Sequence, residues 1–270
     1  MNRIDALFAR LKADNRRALM PFLAAGDPDL ETTRDLVAEM VRRGADMVEL
    51  GIPYSDPIAD GPVIAASYTR ALRGGVKLEN IFSSVKTLRD DDAIGQAPVV
   101  TMVSYAIVHR RGVERYLADA AASGVDGLIV PDLPVEEAGP LLELATASGL
   151  SLIQLVTPTT PRERALRIAA TTTGFLYYVS VAGITGERVA LPADLAENVG
   201  WLRSQTPLPI CIGFGISTAE HVKALAPVAD GLIVGSAIVR RLEGAAGRPR
   251  DRVVAEVGDF VAELAAALSG

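Results

Sequence analysis

From Ala18 onward the chain repeats one pattern eight times: a short apolar, β-branched run, a Gly, Pro or Asp turn, then a polar–apolar stretch of helical period. This alternation constrains the fold more than any other feature, because strand and helix in strict succession imply βαβ units and a parallel sheet. The runs are ALMPFLAAG from Ala18, ADMVELG from Ala45, PVVTMVSY from Pro98, DGLIVPD from Asp126, SLIQLVTP from Ser151, FLYYVSV from Phe175, PICIGFG from Pro209 and DGLIVGS from Asp230. Most are continuously apolar instead of alternating, as expected for strands covered by helices on one face and by packed side chains on the other. Between them lie helical stretches such as LETTRDLVAEMVRRG and GVERYLADAAASG, stopped by glycine as helix C-caps are.

A weak internal repeat accompanies the pattern: Gly44-Ala45-Asp46, Gly124-Val125-Asp126 and Val228-Ala229-Asp230 each lead into an apolar strand. Eight such units without a linker or a break in composition predict a single (β/α)8 TIM barrel domain over residues 1–270. Extra helices are expected at residues 2–13 and near Asp251 to Leu268, and a doubly wound sheet is the alternative. A length of 270 residues and 49% apolar content supply material for that core.

The net charge of −6, with basic residues scattered, argues against nucleic acid or an anionic membrane as the partner, so an anionic ligand needs local donors. The one cysteine, Cys211, has no partner for a disulfide. The start of the chain lacks a signal-type apolar core, and no run is long enough to span a bilayer, so a cytoplasmic protein is expected.

In a barrel, chemistry sits where strands end and βα loops begin. Glu49 interrupts the apolar run Met47 to Gly51, where an unpaired carboxylate is costly to bury. Either it is salt-bridged or faces outward, or it faces the barrel mouth, where partial desolvation raises its pKa and suits it to proton transfer. The loop from Ile52 to Pro62 adds Asp56 and Asp60, for which a turn role and a helix N-cap are the plain alternatives. Gly213-Phe214-Gly215-Ile216-Ser217 and Gly235-Ser236 follow the seventh and eighth strands, the usual phosphate position in barrels, where backbone N–H groups and a helix N-terminus serve as donors. The loop from Ala182 to Arg188 reads as a lid or as a plain surface loop.

Neither a Schiff-base lysine nor a metal site, the usual electron sinks, is visible in the chain. Its four lysines, Lys12, Lys77, Lys86 and Lys223, avoid the strand ends. His109, read as a loop residue, and His221, read as helical, have no second ligand at metal spacing, so no metal site is expected. A reaction that needs an electron sink would have to draw it from the substrate.

The segment VELGIPYSDPIADG, Val48 to Gly61, resembles the signature of the tryptophan synthase alpha subunit family, and PFLAAGDP, PDLPVEE, AGITG, GFGIS and GSAIV extend the likeness over most of the chain. The resemblance implies a lyase of the EC 4.2.1.20 type that cleaves indole-3-glycerol phosphate to indole and glyceraldehyde 3-phosphate by a retro-aldol reaction. Glu49 then relays protons at indole C3 and the departing hydroxyl, and Asp60 stabilises positive charge at the indole N–H. Phe22, Tyr177 and Phe214 are implied for the indole slot, with Met102 and Ile129 also near strand ends. Gly186, Gly215, Gly235 and Ser236 are implied for phosphate. The loop around Pro53 and Asp56 and the loop around Thr185 are implied in the lid and in coupling to a partner. No cofactor is implied in this chain. A beta subunit in an α2β2 heterotetramer carries the pyridoxal phosphate.

One segment departs from the family pattern. After the third strand, where a Tyr and an Asn are common, the chain reads Ser104-Tyr105-Ala106. Another phosphosugar isomerase or epimerase, and a scaffold that only activates a partner, are the rival readings.

Overall fold

The computed structural model describes residues 2–57, 60–91, 94–179, 194–213 and 215–269. Its strands are β1 (Ala18–Ala24), β2 (Val48–Gly51), β3 (Val99–Met102), β4 (Gly127–Ile129), β5 (Ser151–Ile153), β6 (Leu155–Val156), β7 (Leu176–Val179), β8 (Ile210–Gly213) and β9 (Gly231–Val234). All pair in parallel in the order β5-β4-β3-β2-β1-β9-β8-β7-β6. β5 and β6 flank Gln154 within the single run Ser151 to Val156, so the ring has eight strand positions and closes at that residue. There Thr173 N donates to Leu152 O at 2.9 Å and Tyr177 N donates to Gln154 O at 3.1 Å.

The helices are α1 (Arg3–Ala13), α2 (Leu30–Arg42), α3 (Pro62–Arg73), α4 (Leu78–Arg89), α5 (Tyr105–Arg111), α6 (Val113–Ser123), α7 (Ala138–Ala147), α8 (Arg162–Ala170), α9 (Leu195–Gln205), α10 (Ala219–Leu225), α11 (Ser236–Arg241) and α12 (Arg250–Ser269). The two flanking helices expected from the sequence are α1 and α12. His109 lies in α5, a correction to its reading as a loop residue: Ser104 caps that helix and turns the chain helical directly after β3. No helix among the described residues is long and apolar enough to cross a membrane.

Strand side chains divide by parity into two apolar clusters. On β1, Ala18, Met20, Phe22 and Ala24 join the inner cluster, while Leu19 and Leu23 join the layer beneath the helices. Both faces are apolar, which is why the strands read as continuous runs. The inner cluster is plugged at one end by Ile4, Leu7, Phe8 and Leu11 of α1, with the Phe8 and Phe175 rings 5.8 Å apart.

The aspartate repeat has a structural cause. Asp46, Asp126 and Asp230 each precede a strand and grip the first turn of pleat in the strand before. Each backbone N–H donates to a carbonyl there, of Leu19, Val99 and Ile210, at 2.8 to 2.9 Å. Each Oδ2 accepts from the N–H of that same residue, at 3.0, 2.9 and 2.8 Å. An arginine then pairs with each carboxylate: Arg16 with Asp46, Arg89 and Arg3 with Asp126, Arg203 with Asp230. These devices stitch neighbouring strands at the end of the barrel opposite the βα loops, where residues serve stability.

Asp126 is 4% exposed and its partner Arg89 only 12%. Asp126→Asn is therefore expected to cost roughly 3–5 kcal/mol, because it removes the charge that neutralises a largely buried guanidinium, whose remaining partners are carbonyls of Gly95, Ala97 and Gly124. Asp230→Asn, whose pair is more exposed, should cost about 1 kcal/mol. Urea unfolding of the two variants checks the gradient.

Candidate active site

Val48 and Leu50 belong to the outer layer, so Glu49 between them projects into the barrel, opposite Phe22 of β1 and Val100 of β3 in the strand register. Its side chain is 1% exposed, and Oε1 has no hydrogen-bond partner among the described residues. Neither a salt bridge nor an outward orientation accounts for it. Burial, and then the Asp60 carboxylate, push its pKa up to about 8, so it holds its proton at neutral pH.

Asp60 lies at the end of the loop after β2, directly before α3. Gly61, not Asp60, occupies the N-cap position of that helix and Pro62 its first turn, so the N-cap alternative for Asp60 does not hold. Burial pushes Asp60 up to about 6. The repulsion between the two carboxylates falls on Glu49 because Asp60 ionises first, while Glu49 is still neutral. Two carboxyl groups with well-separated pKa values thus share one cavity, an arrangement that yields one acid and one charged carboxylate near pH 7.

α3 is held over the mouth by an ion pair between a half-buried arginine and a buried aspartate. Arg70 donates from Nε to Asp27 Oδ1 at 2.8 Å and from a terminal nitrogen to Oδ2 at 2.6 Å, tying the helix to the end of β1. Ile64 and Tyr68 of α3 consequently join the inner cluster beside Phe22.

The cavity encloses about 640 Å³, its open mouth included. Phe22, Ile64, Met102, Tyr177 and Ile233 form an apolar slot with Glu49 and Asp60 in its wall, and Gly215, Ser217, Gly235 and Ser236 close one side. Tyr177 fits because Gly213 on β8, two residues beyond its register partner Cys211, has no side chain: a Cβ there would collide with the phenol oxygen. Gly215 has φ +79°, a left-handed backbone that L side chains rarely adopt. Ser236 opens α11, whose first N–H groups lack partners within the helix.

Of the residues singled out in the sequence, Phe22, Glu49, Asp60, Met102, Tyr177, Gly215, Gly235 and Ser236 converge on this one cavity. Asp56 is exposed and lines a neighbouring cleft with Asp60, Met102, Ser104 and Asp132. Ile129 is buried in the inner cluster and does not reach the cavity wall. Phe214, Thr185 and Gly186 lie outside the described residues. The departure at Ser104 builds a clamp: Ser104 Oγ donates to Asp132 Oδ2 at 2.7 Å and Tyr105 N to Oδ1 at 2.8 Å, joining the loops after β3 and β4. The four lysines lie within helices or, for Lys77, at a helix cap, and no metal-binding cluster occurs among the described residues.

Ile64, Ile216, Ala237 and Tyr68 were not foreseen. For α3 a signal existed: Ile64 and Tyr68, four residues apart, lie on one helical face.

A closed parallel β/α barrel with an apolar, carboxylate-bearing cavity at the C-terminal ends of its strands belongs to the class of barrel enzymes whose loops carry out the chemistry. Comparison with known proteins narrows the class. The family model of the tryptophan synthase alpha chain matches residues 8–268. A tryptophan synthase alpha chain from Rhodopirellula baltica is 53% identical over 99% of both chains, and one from Geotalea daltonii is 45% identical over 92% of this chain and 93% of its own. The crystal structure of tryptophan synthase subunit alpha from Legionella pneumophila superposes with a TM-score of 0.90 at 34% identity, covering 100% of this chain and 99% of that one. A chain of the tryptophan synthase complex from Pyrococcus furiosus gives 0.83 at 37% identity, covering 92% and 98%. The chain belongs to the tryptophan synthase alpha chain family, and with it to the lyases of tryptophan biosynthesis.

Proposed function

We propose that this chain cleaves indole-3-glycerol phosphate to indole and glyceraldehyde 3-phosphate, with Glu49 and Asp60 as its catalytic pair. The observation that carries the reading is the buried Glu49 carboxyl, whose Oε1 has no partner among the described residues, facing the same apolar slot as Asp60. Glu49 donates its proton to indole C3, and the ring becomes an indolenine whose N–H bears positive charge. Asp60, ionised near neutral pH, stabilises that charge. The carbon–carbon bond breaks as its electrons return to the ring, and Glu49, now a carboxylate, takes the proton of the side-chain hydroxyl that becomes the aldehyde. The carboxyl is regenerated, and no external acid is consumed.

Phe22 and Tyr177, with Phe214, hold the indole ring in this reading. Gly215, Gly235 and Ser236, with Gly186, offer backbone donors to the phosphate, which suits a chain of net charge −6. Residues 1–270 are read as one barrel domain, supported by the single continuous sheet. The reaction needs no cofactor in this chain. A beta subunit carrying pyridoxal phosphate is its partner in an α2β2 heterotetramer, in the cytoplasm, with Asp56, exposed at the mouth, and Thr185 in the coupling loops.

Indole release from indole-3-glycerol phosphate, measured with and without a cognate beta subunit, tests the reading. Turnover that rises with the beta subunit, and a shift to larger size in gel filtration of the mixture, are expected. Isomerised phosphosugar without indole would overturn it in favour of an isomerase.

A further inference from the structure

The cavity holding Glu49 and the cleft beside it share only Asp60 and Met102 among the residues that line them. The second cleft encloses about 550 Å³, open space included, and runs from Asp60 and Tyr68 toward Pro57, Ser104 and Asp132. Two spaces of comparable size therefore lie side by side at the barrel mouth, and what separates them sets how large an aromatic ligand the first one accepts.

Tyr68 stands at this boundary. Its side chain is 3% exposed, packed into the inner cluster from α3. It lines the second cleft and not the first, whereas Phe22 lines the first and not the second. The two rings meet above Gly51, which follows Glu49 by two residues and so shares its inward face. A Cβ built on Gly51 would lie 2.5 Å from the Tyr68 hydroxyl oxygen and 2.6 Å from Phe22 Cζ. The bare backbone at Gly51 lets the two aromatic side chains close together there. Met102 and Asp60 continue the wall. The helix that carries Tyr68 is anchored to the loop after β1 by the ion pair of Arg70 with Asp27. The phenol itself stays neutral, because burial and then the charges of Asp60 and Glu49 raise its pKa.

We infer that Tyr68 is a specificity-determining residue, whose ring closes the aromatic slot at the size of a two-ring ligand and keeps larger fused rings out of the second cleft. The inference deepens the proposed function and rests on its reading of the slot as an aromatic site.

The test is binding, independent of turnover. Indole and its three-ring analogue benzo[g]indole are titrated calorimetrically into the wild type, Tyr68→Phe, Tyr68→Leu and Tyr68→Ala, each checked for cooperative unfolding. The wild type and Tyr68→Phe should prefer indole by about tenfold or more, the scale on which a filled apolar slot rejects an oversized ligand. Tyr68→Ala should lose that preference or reverse it, with Tyr68→Leu between; if Tyr68→Ala does not fold, Tyr68→Leu decides alone. Unchanged discrimination in the folded variants, or a wild type that binds neither ring, overturns the inference. Failure of the proposed function would look different: no indole release from indole-3-glycerol phosphate, with the binding pattern intact.

Discussion

Glu49→Gln is expected to cut indole release from indole-3-glycerol phosphate by about 10²–10⁴-fold, the contribution typical of a positioned general acid–base group. The amide keeps the shape and the inward orientation but cannot exchange protons with C3 or with the departing hydroxyl, so kcat should fall more than KM rises. The same substitution should make the fold more stable. Burial holds the folded carboxyl near 8 against an ordinary value of 4.5. Below 4.5 the group is neutral in both states and costs nothing. As pH rises, the unfolded chain ionises first, so the folded state loses relative stability across this window, and the loss is complete above about 8. Urea unfolding of Glu49→Gln should therefore show a gain over wild type that grows through the window and levels off, on the order of a few kcal/mol. Wild-type turnover in Glu49→Gln sinks the assignment. A loss of activity accompanied by a loss of stability would recast the residue as structural.

Asp60→Asn should lower kcat by roughly 10²–10³-fold, the scale for removing one preorganised charge from a water-poor site. Its distinguishing signature lies in pH dependence. In the wild type, kcat/KM requires Asp60 ionised and Glu49 protonated, so the profile should be bell-shaped with limbs near 6 and 8. The residual activity of Asp60→Asn should lack the acidic limb. Its basic limb should move below 8, because the negative charge that helps hold the Glu49 proton is gone. The limbs belong to the coupled pair, so both should respond to one substitution. A profile in Asp60→Asn identical in shape to that of the wild type contradicts the charge-stabilising role.

Both predictions depend on a site whose parts were unequally legible in the sequence. Eight apolar runs at βα spacing are enough to define the barrel, because helix and strand periods are local properties of the chain. Glu49 stood out for the same kind of reason: a charge inside Met47 to Gly51 contradicts its neighbours. Asp46, Asp126 and Asp230 were visible as a repeat, but not as clasps, since each grips a strand that precedes it by some twenty or more residues. Ser104 read only as a departure from the family pattern, whereas the folded chain turns it into a clamp on Asp132, a residue 28 positions on.

Local pattern, together with the likeness of Val48 to Gly61 to a known family, was enough to settle the barrel, its flanking helices and the family, and to nominate Glu49 and Asp60. Only the tertiary structure decided that Glu49 faces inward, because strands apolar on both faces hide their parity until register and neighbours are known. Only it brought α3 over the mouth, through Asp27 and Arg70, and set Tyr68 against Phe22 above Gly51. The elevated proton affinities of Glu49 and Asp60 are likewise products of folding: they come from the water each carboxyl loses and, for Glu49, from the charge it faces, and neither exists in the extended chain.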